Sequence, residues 1–175
     1  MSRQMLYGCD FGFIDPCTLS QSFIRDNELY ICREFYETGL DPDMIKDRYS
    51  NLNWIINRNV IADSARPELI RMLNNTGKFQ FSGARKNVGN KQKEGEFKRT
   101  MALYLRQFKK IHIHATNCPN AAKEFPLWSW EVDKNEKILE TVKDGDDHTI
   151  DAVIYSLERE AKSWYYNNFS GNKNS

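Results

Sequence analysis

The chain has 175 residues, 40% hydrophobic and 13% aromatic, with 25 basic and 24 acidic side chains and a formal net charge of +1. That length predicts one domain with its own core, and that composition excludes global disorder. No apolar run reaches the ~20 residues of a membrane-spanning helix and no secretory signal opens the chain, so a cytoplasmic protein without a membrane is expected.

Residues 5–13 read as a short apolar strand that carries one carboxylate, Asp10, between two glycines, Gly8 and Gly12, which let another group approach the backbone closely. After the Asp15-Pro16 turn, residues 18–25 and 28–36 read as two more strands joined at Asp26-Asn27, an antiparallel meander. Asp41-Pro42 marks a helix start, with Met44, Ile45, Tyr49 and Leu52 at helical spacing. Residues 60–63 form a fourth strand ending in Asp63. A helix then starts at Arg66-Pro67-Glu68 and stops at Gly77, and residues 79–81 form a fifth strand. Residues 83–91 are a polar loop that lacks the ending of a phosphate-binding P-loop.

Phe97, Met101, Leu105 and Phe108 share one helical stripe, and residues 111–114 alternate as a strand. His112 and His114 lie on one strand face without a third ligand, which favours a structural role. Residues 119–143 suggest a short helix and a strand pair. One final helix, capped at residues 144–147, carries Ile150, Val153, Ile154, Leu157 and Ala161 on its inner face. The domain is expected to span 1–166, with 167–175 a disordered tail. The order predicts an α/β fold, a mixed sheet with helices on both faces and right-handed crossovers.

Cys9, Cys17, Cys32 and Cys118 form no CxxC pair and no zinc spacing, so they read as reduced thiols. Charge is segregated. Residues 78–110 hold ten basic residues against Glu94 and Glu96, a net +8, leaving −7 for the rest. Such a segment suits a polyanion, as it also suits a solvated surface.

Asp10, Asp63 and Asp151 are far apart in sequence, yet each sits on an apolar element. An unpaired buried carboxylate is costly, so three of them point to a divalent-metal site assembled by the fold. Oxygen ligands of this kind hold Mg²⁺ or Mn²⁺ and, with two ions about 4 Å apart, can support phosphodiester cleavage. His148 projects from the same helix face as Asp151, either beside the metals or as a plain first-turn residue.

Gly8-Cys9-Asp10-Phe11-Gly12 with Asp15-Pro16, then Ile61-Ala62-Asp63-Ser64-Ala65 with Pro67-Glu68-Leu69-Ile70, then His148-Thr149-Ile150-Asp151-Ala152, resemble the nuclease domain of a tailed-bacteriophage large terminase subunit. The resemblance runs from residue 6 to 157. It implies an RNase H-like fold, with a three-strand meander plus parallel strands, and a two-metal endonuclease cutting concatemeric double-stranded DNA during genome packaging. It also implies an ATPase domain in the same full-length protein, portal and small terminase subunit as partners, and the infected bacterial cytoplasm as location. The isolated domain is expected to be monomeric. On this resemblance Asp10, Asp63 and Asp151 match metal-binding acids, His148 matches the histidine of the last motif, and Lys86 resembles a basic residue after the fifth strand. Arg85, Lys86, Lys91, Lys93, Lys98 and Arg99 are the expected DNA-binding residues. A Holliday-junction resolvase of the same superfamily and a non-catalytic DNA-gripping or motor-docking module remain alternatives.

Overall fold

The computed structural model describes residues 4–87, 95–128, 130–132, 138–142 and 147–169. Strand β1 (Leu6–Asp10) lies between β2 (Cys17–Arg25), to which it is antiparallel, and β4 (Asn59–Ala62), to which it is parallel. The sheet continues through β3 (Glu28–Glu37) to β6 (Lys110–Ile113) on one side and to β5 (Gln80–Gly83) on the other, in the order β5-β4-β1-β2-β3-β6. The β2–β3 turn passes through Asp26 and Asn27 at φ 53° and 61°, the left-handed values that a two-residue hairpin needs and that Asp and Asn tolerate.

Helix α1 (Pro42–Ser50) starts as its sequence predicts: the Asp41 carboxylate accepts the Met44 N–H at 2.8 Å and Pro42 opens the first turn. With α2 (Pro67–Asn74) it accompanies one core cluster that includes Cys9, Leu19, Ile45, Tyr49, Ile55, Val60, Leu73 and Phe81. A second cluster joins Leu29 and Ile31 of β3 to Met101 and Leu105 of α3 (Glu96–Leu105), Ala121 of α4 (Pro119–Leu127) and Ile150, Val153 and Ile154 of α5 (His148–Ser156). A short pair, β7 (Trp130–Val132) and β8 (Ile138–Val142), forms a separate two-stranded sheet, so the helix and strand pair expected in 119–143 are present.

One element departs from expectation. The final helix is two helices, α5 and α6 (Glu158–Phe169), broken at Leu157, whose N–H reaches both Val153 O and Ile154 O. No glycine or proline marks the break. Helix α6 runs past Tyr166 to Phe169, and residues 170–175 lie outside the described residues. His112 sits at the end of the sheet opposite Thr18, 2.6 Å from the Glu28 carboxylate and stacked on Tyr30 at 4.3 Å between ring centroids, in keeping with a structural role.

Candidate metal centre

The site is built where β1 and β4 end side by side. Cys9 pairs with Ala62, and the next ladder bond, Asp63 N–H to Cys9 O at 3.0 Å, sets Asp63 beside Asp10. Asp10 and Gly8 lie on the same face of β1 because side chains alternate along a strand. Helix α5 crosses that face so closely that a Cβ on Gly8 would stand 1.7 Å from the Ala152 carbonyl oxygen. Gly8 is therefore required by the helix. Thr18, opposite Asp10 on β2, donates its hydroxyl to His148 O at 2.9 Å, which fixes the first turn of α5 over the strand ends. Asp151, one turn further along, then faces Asp10 and Asp63.

Charge behaviour confirms the crowding. Burial pushes the Asp10 carboxyl up to about 8, and the charges of Asp151 and Asp63 push the same way, with Lys86 opposing. Burial likewise raises Asp151 to about 6, with Lys98 opposing and Asp147 adding to the rise. The Tyr155 phenol is raised as well, by burial first and then by Asp151, Asp10 and Asp63.

Two ammonium groups stand among these acids. Lys86 Nζ is 2.6 Å from Asp63 Oδ1 and lies 5.3 Å from the centre of the Tyr155 ring. Its backbone is left-handed at φ 48°, a conformation that costs a residue with a side chain about 1–2 kcal/mol. Lys98 Nζ is 2.6 Å from Asp147 Oδ2 and 3.7 Å from Asp151 Oδ1.

Lys98, one of the expected DNA-binding residues, thus stands at the start of α5, where the acids attract its ammonium. Arg99 is 3.3 Å from Glu96 on its own helix, and Arg85 lies two residues past the end of β5. Lys91 and Lys93 lie outside the described residues. His148 Nε2 is 4.0 Å from the exposed Asp15 carboxylate, beside the cluster.

Residues 10–159 match the terminase RNase H-like domain family. The chain belongs to that family. It is 30% identical over 159 residues to the terminase large subunit of Bacillus phage SPP1, covering 89% of this chain and 36% of that protein. It is 29% identical over 155 residues to the PBSX phage terminase large subunit of Bacillus subtilis strain 168, covering 86% and 33%. This terminase domain thus spans about a third of the length of these curated relatives. The g2p large-terminase nuclease domain of SPP1, solved with bound Mn, is similar at a TM-score of 0.76 and 26% identity over 90% of this chain and 86% of that one. The P22 large terminase nuclease domain shares the fold at a TM-score of 0.58 and 16% identity, over 89% and 80%. The RNase H-like mixed sheet expected from the sequence is the fold of this terminase domain.

Among the described residues, no three His, Cys, Asp or Glu side chains converge tightly enough to enclose one ion as they stand. The chemistry of the donors nevertheless fits a hard divalent cation. They are carboxylate oxygens, and burial, with repulsion from neighbouring acids, holds Asp10 and Asp151 above their ordinary range, a penalty that a cation relieves.

Several residues of this terminase domain escape a sequence reading. Asp147 was legible as a helix cap, but its side chain makes no capping bond and faces Lys98 instead. The cap is supplied by Glu124 of α4, which accepts the Thr149 N–H at 2.8 Å and hydrogen-bonds the Thr149 hydroxyl, so α4 holds the start of α5. Between β4, β5 and the start of α6, a cavity of about 430 Å³ is lined by Arg85, Arg159 and Lys162 among others, extending the basic surface to α6. Only the i, i+4 spacing of Asp147 to Asp151 left a signal in the sequence.

Proposed function

We propose that this domain is a divalent-metal-dependent endonuclease that hydrolyses phosphodiester bonds of double-stranded DNA during viral genome packaging. The observation that supports the reading is that Asp10 and Asp63 end adjacent strands, with Asp151 on the helix that crosses them, beside a basic surface. Asp10, Asp63 and Asp151 would hold Mg²⁺ or Mn²⁺. When bound, two such ions polarise the phosphate and supply a nucleophilic water for in-line displacement. The chain's own residues do the rest. Asp63, anchored to the β1 ladder, and Asp151, fixed by the tight α5 crossing, keep the donors in place. Lys86 brings a positive charge to the reacting phosphate as it leaves Asp63. His148, at the rim, orients water or a phosphate oxygen. Arg85, Arg99, Arg159, Lys162, Lys91 and Lys93 grip the DNA backbone without reading its sequence. The ATPase domain, the portal and the small terminase subunit are the proposed partners, on the strength of the large-subunit relatives.

The test is plasmid nicking by the purified domain with Mn²⁺, with Mg²⁺ and in excess chelator. Nicking should need the metal, and Asp10→Asn should remove it. A loss of several kcal/mol of charge stabilisation corresponds to a rate loss of roughly 10³-fold. Undiminished nicking in chelator or in Asp10→Asn refutes the reading. Asp147, a fourth acid beside Asp151, is what a junction resolvase would show. A four-way junction therefore belongs in the assay, and cleavage of it in preference to linear duplex would favour that alternative.

A further inference from the structure

Glu158 opens α6 on the far side of the helix break, is buried, and forms no ion pair among the described residues. Its carboxylate instead spans the loop after β5: Oε2 accepts the Arg85 N–H at 2.8 Å and Oε1 the Asn87 N–H at 3.4 Å. Those two amides flank Lys86, the residue held at φ 48° with its ammonium 2.6 Å from Asp63. A buried carboxylate normally finds a cation, and a non-glycine residue normally avoids that backbone region. Both departures occur at one place, and each accounts for the other. Clamping the amides on either side turns the intervening residue, and its side chain swings over the Tyr155 ring toward the acids.

We propose that Glu158 is a positioning residue, which acts through the backbone of residues 85–87 to hold Lys86 at the acid cluster. The assignment rests on the nuclease reading for what Lys86 does there, but the mechanical link between Glu158 and Lys86 stands on contacts alone. The break at Leu157 belongs to the same device. It lets one helical run supply Asp151 before the bend and the clamp after it. The arrangement makes Lys86 placement depend on how α6 docks against the β4–β5 edge.

The link is tested first without metal or activity. In Glu158→Gln one amide loses its acceptor and meets an NH₂ group. The rate of reductive methylation of Lys86, followed by mass spectrometry against exposed Lys123 as internal reference, should rise severalfold while Lys123 stays constant. A Lys86 rate equal to wild type overturns the proposal.

The second arm is a double-mutant cycle on metal-dependent nicking. Glu158→Gln alone should slow turnover by roughly 10- to 100-fold, the usual range for residues that orient a metal-site group. In a Lys86→Met background it should cost nothing further, because its effect passes through Lys86. Equal losses in both backgrounds mean a general structural role and overturn the proposal. If Glu158→Gln fails to melt cooperatively, Glu158→Asp, which keeps the charge one methylene shorter, is carried through both arms under the same criteria. A wild-type domain that nicks nothing with either metal refutes the nuclease reading, and the methylation arm still decides the clamp.

Discussion

The two faces of the central sheet are packed on different principles. On the face that carries Tyr7, Cys9, Leu19, Val60 and Ala62, large side chains fill the space, and Tyr49, Phe81, Phe11, Phe79 and Phe35 meet ring against ring. On the other face, α5 lies over Gly8, Thr18, Ser20 and Ser22, all small, and presents Ala152 and Ser156 to them. Large side chains interdigitate and can shift by rotamer changes. Small ones bring backbone to within contact of backbone, where nothing can adjust. Each face has its own apolar cluster, but the close backbone approach on the second fixes position. It is the second face that carries the acids, as a site whose donors must be held to within about 0.5 Å requires.

The comparison can be broken most directly by one substitution on each face. Leu19→Ala should cost about 2–5 kcal/mol by leaving a cavity, yet leave Mn²⁺ affinity and nicking per folded molecule as in wild type. Gly8→Ala should cost at least the 1–3 kcal/mol typical of overpacking, since its methyl meets a carbonyl oxygen it cannot pass. It should also weaken Mn²⁺ binding, because relief of the clash must lift α5 and Asp151 with it. Urea titration gives the first quantity and calorimetric Mn²⁺ titration at a temperature where both variants are folded gives the second. Equal metal affinity in the two variants would show that the small-residue face does not set the site.

A smaller effect sharpens the same contrast through pH. Asp10 and Asp151, at about 8 and about 6, lie above their ordinary value of 3.8, so between pH 4 and 8 the folded protein binds more protons than the unfolded chain. The stability they contribute is present below pH 4 and is lost as pH rises through 6 and then 8. The metal-free melting temperature should fall across that window, and Asp10→Asn should flatten the upper half of the fall. With saturating Mn²⁺ the slope should reverse, because the ion binds only the ionised carboxylates. A wild-type profile that stays flat from pH 5 to 8 would mean that neither burial nor the neighbouring acids hold these carboxyls above their ordinary range.

How much of this was legible in the sequence depended on the range of the interaction. Asp10, Asp63 and Asp151 were legible because each breaks an apolar run locally, and Gly8 because a glycine inside a strand announces a close approach. The Asp41 cap and the Asp26-Asn27 turn were legible for the same reason, as their chemistry is complete within four residues. Glu158, Glu124 and Glu34 were not. Each spends its carboxylate on distant backbone amides, Glu34 on those of Asn120 and Ala121, Glu124 on that of Thr149 and Glu158 on those of Arg85 and Asn87, and in a sequence such a residue looks like any solvated acid. The break at Leu157 has no helix breaker to mark it. Lys98 looked like part of a basic run because a run records charge and not direction.

The smallest expected effect concerns that run. Lys91→Gln, Lys93→Gln and Lys162→Gln should each lower the slope of log affinity for duplex DNA against log salt by about 0.9 if the side chain neutralises a phosphate. Lys98→Gln should leave the slope as in wild type, since its charge is already committed to Asp147 and Asp151. Fluorescence titrations at several salt concentrations, with metal omitted, separate the two groups. A slope change for Lys98→Gln as large as for the others would return it to the DNA-binding surface.

The ammonium groups of Lys86 and Lys98 have a consequence for the order of events in the life of the protein. A cluster of carboxylates with no cation of its own would have to recruit an ion before the chain could fold around it. This domain carries its provisional counter-ions on tethers, one on the loop after β5 and one on α3. The chain can therefore finish folding without a metal, and on the nuclease reading the ions would arrive as replacements for cations already in place. Arming the site becomes an exchange reaction, governed by how readily two lysines give way.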